Sequence, residues 1–123
     1  MIQQEGPGWR FARDPSRGQY QVLIGGQTWA FELTAAEWKE LVALIGALED
    51  QHRSLSEQLM KEESIGLEME RGDWWASLEG DRTQWQLSLV LTGNQGRGVE
   101  GHWPASAAMA VVAAMRSALD LWD

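Results

Sequence analysis

At 123 residues and 13.8 kDa the chain is of the size at which one domain buries roughly two thirds of its unfolded surface, and 44% hydrophobic residues with eight tryptophans exclude a disordered chain. The absence of cysteine excludes a disulfide framework, a thiol nucleophile and a thiolate metal site, and accords with a reducing cytoplasm. A net charge of −8 opposes binding to a phosphate backbone, no apolar run approaches a bilayer span, and Met1 to Pro7 lacks the basic head and apolar stretch of a signal, so a cytoplasmic protein without a membrane segment is expected.

In chain order, Trp9 to Arg13 alternates apolar and polar residues, the pattern of a strand with one buried face. Asp14-Pro15-Ser16-Arg17-Gly18 predicts a turn, Tyr20 to Ile24 a returning strand, Gly25-Gly26 a tight reversal and Thr28 to Leu33 a third strand. Thr34-Ala35-Ala36-Glu37 has the spacing of a capping box, and Trp38, Leu41, Val42, Ile45 and Leu48 then form an apolar helical stripe. A second capping-box spacing at Ser54 to Glu57 predicts a break near Gln51 to Arg53 and a short second helix.

Ser64 to Arg71, Trp74 to Glu79, Gln84 to Thr92 and Val99 to Trp103 read as a second sheet of four strands, with Trp85, Leu87, Leu89 and Leu91 as its buried row. Gly93 to Gly98 is a glycine-rich connection of the kind that is mobile. Pro104 suits the first position of a last helix, whose alanines predict close packing on a flat surface.

The two halves repeat. Trp74, Arg82, Gln84, Trp85, Gln86, Leu87 and Leu89 fall on Trp9, Arg17, Gln19, Tyr20, Gln21, Val22 and Ile24 at a constant shift. Five further loop residues lengthen that shift, so that Ala105, Val111, Val112, Ala113 and Met115 fall on Ala35, Leu41, Val42, Ala43 and Ile45. The expected fold is α+β: two antiparallel sheets from a duplicated strands–helix unit, helices packed on the sheets, in one domain over 1–123 with copies at about 8–50 and 73–121.

Trp9, Trp29, Trp38, Trp74, Trp85 and Trp103 stand on inner faces or at element starts and read as core. Trp75 points away from Trp74, and Trp122 follows the last helix; either suits stacking a base, binding a partner or closing a dimer, and the surrounding acids favour protein contact. Arg10, Arg13 and Arg17 make the one local basic patch, and Arg97 sits on the glycine-rich connection. These six residues, Arg10, Arg13, Arg17, Trp75, Arg97 and Trp122, are the candidate contact surface.

Glu68, Glu70, Asp73, Glu79 and Asp81 lie on or beside the outer face of the second sheet; without convergent histidines or calcium-loop spacing they read as a solvated face, not a metal site. Glu100 and His102 share a strand face and read as an ordinary cross-strand contact, and His52 carries no distinct signal. The glycine run joins two strands, whereas phosphate loops open a helix. No catalytic group, cofactor or metal is expected.

Gly8-Trp9-Arg10-Phe11, Trp74-Trp75 and Glu100-Gly101-His102-Trp103-Pro104 resemble a small cyanobacterial family of unknown function. That family is grouped by fold with single-stranded-DNA-binding transcriptional regulators, the plant Whirly proteins and positive cofactor four. The resemblance implies two antiparallel sheets crossed steeply and a strand face suited to single strands. It transfers no residue, because the Whirly Lys-Gly-Lys-Ala-Ala-Leu signature is absent. The expected function is a non-enzymatic module that binds a protein partner through exposed aromatics, the Gly93 to Gly98 connection and the acidic face. The alternative is single-strand nucleic-acid binding around Arg10, Arg13, Arg17, Tyr20 and Trp75, which the charge disfavours. A homodimer is compatible with either.

Overall fold

The computed structural model describes residues 2–93 and 96–122, with side chains through Leu119. Its first sheet has four antiparallel strands in chain order, β1 (Ile2–Gly6), β2 (Trp9–Arg13), β3 (Val22–Gly26) and β4 (Ala30–Leu33). The sequence reading falls one strand short here. Ile2-Gln3-Gln4-Glu5-Gly6 lacks apolar alternation because β1 is an edge strand, recruited by its ladder with β2 more than by side-chain burial.

The Asp14 turn forms as a 3₁₀ segment at Pro15–Arg17, with the Asp14 carboxylate accepting from the Ser16 N–H at 3.1 Å and Gly18 at φ 73°. Gly25 and Gly26 do not make the next reversal; they end β3, and Gln27-Thr28 turns the chain. A Cβ on Gly26 would stand 2.4 Å from Trp29 Nε1, so glycine here makes room for an indole lying on the strand.

Helix α1 (Ala35–Ser56) starts at the expected capping box: Glu37 N–H donates to Thr34 Oγ1 at 3.1 Å, and Thr34 N–H to Glu37 Oε1 at 2.9 Å. It does not break at Gln51 to Arg53, and no second helix follows. His52 is the reason: it is buried, its Nε2 donates to the Asp81 carbonyl at 2.9 Å, and its ring lies 6.3 Å from that of Trp85, so this turn is docked on the other half of the chain. The Ser54 to Glu57 spacing goes unused, and Ser56 Oγ donates back to the Arg53 carbonyl.

The second sheet is as expected, β5 (Ile65–Arg71), β6 (Trp74–Gly80), β7 (Trp85–Thr92) and β8 (Gly98–Trp103), antiparallel in chain order and followed by α2 (Ala105–Trp122). Pro104 sits one position earlier than expected, at the cap, where its carbonyl accepts from the Ala107 and Ala108 N–H groups.

The duplication holds in the ladder register. Trp9 and Phe11 face Gly26 and Ile24; sixty-five residues on, Trp74 and Ala76 face Leu91 and Leu89. Phe31 and Leu33 face Ile24 and Val22; seventy residues on, Gly101 and Trp103 face Leu89 and Leu87. Helix α1 crosses to pack on β5 and β6, whereas α2 packs on β7 and also on β1 and β2. Both copies therefore enter one buried cluster, including Phe11, Ile24, Trp38, Leu41, Trp74, Leu87, Trp103 and Met115.

Candidate interaction surface

Strand alternation fixes which side chains leave the core. On the second sheet Trp74, Ala76, Leu78, Leu87 and Leu89 point inward, so Glu68, Glu70, Trp75, Ser77, Glu79, Gln86, Ser88, Val90, Glu100 and His102 share the outer face. The two helices pack on the inner side, leaving this face uncovered.

The ladder orders it into rows. Glu70 faces Trp75, Trp75 faces Val90, and Val90 faces Glu100, so a half-buried aromatic–aliphatic pair lies between two exposed carboxylates. The next row runs Glu68, Ser77, Ser88, His102, in which Ser88 Oγ and His102 Nδ1 lie 3.0 Å apart. His102 thus makes the expected cross-strand contact, but with Ser88 and not with Glu100. Among the described residues no basic side chain pairs with Glu68, Glu70, Glu79 or Glu100, and no group of three or more metal-ligating side chains converges.

The first sheet carries the same positions differently. Its matching row is Glu5, Arg10, Gly25, Ala30. A Cβ on Gly25 would meet Arg10 Nε at 3.2 Å, so the Arg10 side chain lies across the sheet where the second copy has Trp75 and Val90. One position along, Arg17 pairs with Glu32 at 2.7 Å. Arg10 and Arg17 border a shallow groove of about 240 Å³ with Gln3 and Leu23. Arg13 does not join them: it follows the inward parity of Phe11 and is half-buried.

Arg97 is placed otherwise than the sequence reading has it. Its guanidinium donates to the Glu37 carboxylate and the Glu32 carbonyl, and lies 4.8 Å from the centre of the Tyr20 ring. It anchors the β7–β8 connection to the start of α1 and is not free to meet a partner. Burial works to raise the Glu37 carboxyl, but hydrogen bonds from Arg97 and from the Thr34 backbone outweigh it and hold the group below its ordinary value. Trp122 ends α2 with its side chain outside the described residues.

Of the six candidates, Trp75 lies on the second outer face, Arg10 and Arg17 on the first, and Arg13 and Arg97 are engaged inward. Sequence reading missed Val90 and the row it completes. The repeat shift carried that signal, because it maps Trp75 onto Arg10 and Glu70 onto Glu5.

A family model described as a domain of unknown function, DUF1818, matches residues 4–118. A crystal structure of a protein with unknown function from Prochlorococcus sp. NATL2A, described as of the DUF155 family, matches with a TM-score of 0.92 and 49% identity, covering 100% of both chains. No curated protein matches.

Proposed function

The chain belongs to the DUF1818 family of unknown function, and we propose that it is a non-enzymatic, cytoplasmic module that binds a protein partner on the outer face of β5–β8. The observation that supports this is the uncovered four-stranded face with Trp75 and Val90 at its centre and carboxylates around them. An aromatic anchor inside a polar rim is the usual anatomy of a protein interface. A photo-crosslinking residue at Ser77 is expected to trap protein adducts in cells, and one at exposed Ser106 on α2 is not. Adducts from Ser106 alone would sink the reading.

A second reading, single-strand nucleic-acid binding, draws on the resemblance to the Whirly regulators and on the Arg10–Arg17 groove. It ranks lower because Arg17 is paired with Glu32, Tyr20 is occupied by Arg97, and Trp75 stands on the other sheet. Anisotropy of a labelled oligonucleotide at low and moderate salt tests it, since phosphate contacts weaken steeply as salt rises.

A further inference from the structure

From the reading of the second outer face as a protein-binding surface, we infer its partner's chemistry. The face docks an extended segment that crosses the strands, with an arginine over Trp75 and basic side chains two residues to either side of it reaching Glu70 and Glu100.

The two copies differ in the charges their outer rows hold. On the first sheet the row Glu5–Arg10–Gly25–Ala30 holds its own cation, with Arg10 lying across Gly25. On the second sheet the cation's position has become Trp75, glycine has become Val90, and alanine has become Glu100. The second row moves its acid from one end to the other: Glu32, paired with Arg17, corresponds to His102, and the neutral Gln3 corresponds to Glu68, while Arg82, the counterpart of Arg17, donates to the Leu59 carbonyl. One face is thus balanced within the chain, and the other gathers Glu68, Glu70, Glu79 and Glu100 with no basic partner among the described residues.

Several of the chain's arginines are paired elsewhere: Arg71 on Glu40, Arg97 on Glu37, and Arg53 and Arg116 on Glu49 and Asp50. A partner that supplies the missing charge meets both an attractive field and an indole able to stack a guanidinium.

Geometry sets the spacing. Three strand-to-strand steps of about 4.8 Å separate Glu70 from Glu100, roughly 14 Å. Four residues of extended chain cover about 13–14 Å, and residues two apart point to the same side. Basic residues at positions i and i+4 therefore reach the two carboxylates while an arginine at i+2, midway between the Trp75 and Val90 positions, reaches the indole. The field also disfavours nucleic acid as the occupant.

The test uses the whole protein and a labelled peptide of about eight residues alternating arginine and threonine, followed by anisotropy. Binding is expected, falling at least about fivefold in Trp75→Ala and in the double variant Glu70→Gln/Glu100→Gln, with Trp75→Phe retaining most of it. The control Glu62→Gln/Glu63→Gln removes the same charge from a segment off this face and is expected to leave binding within about twofold. A peptide with arginines every third residue, which places them on alternate sides, is expected to bind more weakly. Equal losses from both glutamate pairs, or no loss in Trp75→Ala, overturn the inference, as does an oligonucleotide that binds this face in the peptide's place. If Ser77 crosslinks trap a protein whose attached segment carries no arginine or lysine, the inferred chemistry fails while the protein-binding reading stands; no adduct at Ser77 removes both.

Discussion

The indole N–H of Trp103 donates to the carbonyl of Gly25 at 3.0 Å, so a tryptophan on the last strand of the second sheet closes a hydrogen bond of the first. Trp29, just before β4 of the first sheet, returns the contact, donating to the His102 carbonyl at 3.0 Å, and the two rings lie 5.2 Å apart. Trp103→Phe, at a fully buried position, removes this hydrogen bond and leaves a cavity beside Gly25, at a cost of about 1–3 kcal/mol. Trp29→Phe acts at a more exposed bond, where water can substitute, and costs about 0.5–1.5 kcal/mol. Urea unfolding monitored by circular dichroism checks the order, which equal shifts in midpoint would contradict.

Gly101 faces the same indole. A Cβ there would come within 2.6 Å of Trp29 Cη2, closer than any side chain tolerates. Gly101→Ala is therefore expected to displace Trp29 and lower stability by about 1–3 kcal/mol. Tryptophan emission should shift to the red at the same time, and unchanged emission with unchanged stability would show that the indole has room to spare.

The Glu37 carboxyl, held below its ordinary value of 4.5 in the fold, binds protons more weakly there than in the unfolded chain. Its contribution is present above the unfolded value and is lost as pH falls through the folded one. Unfolding free energy should therefore decline on acidification below about pH 4.5, and Arg97→Met, which removes the chief hydrogen-bond donor, should flatten that decline. At neutral pH the same substitution costs about 1–3 kcal/mol. An acid profile identical to that of the parent protein would remove Arg97 as the cause.

His52 joins the far end of α1 to the turn between β6 and β7. His52→Ala leaves the Asp81 carbonyl without its donor and opens space beside Trp85, for a loss of about 1–3 kcal/mol. Amide exchange is expected to quicken over 51–56 before the rest of the helix. Uniform exchange along α1 would mean that this docking does not hold the helix together.

Most of the architecture was legible because it rests on patterns that sequence displays: Trp85, Leu87, Leu89 and Leu91 alternate, Thr34 and Glu37 cap, and the halves align residue on residue. What was illegible depends on partners distant in the chain. Nothing near His52 reveals that Asp81 will accept from it, so the helix looked free to break. Ile2 to Gly6 has no apolar period because its partner strand recruits it. Arg97 looked exposed because Tyr20 and Glu37, which hold it, lie far away in sequence. The outer row was half legible: Trp75 stood out by pointing away from Trp74, but only the pairing register places Val90 and Glu100 beside it.

Each helix leans on sheet material from the other copy, α1 on β5 and β6, and α2 in part on β1 and β2. A unit made this way has no finished interior until a second one arrives, so the duplication is what lets one polypeptide do alone what a single unit does only in company. Cutting the 57–64 connection should accordingly yield two pieces that are unstructured apart and regain their fold when mixed in equal amounts.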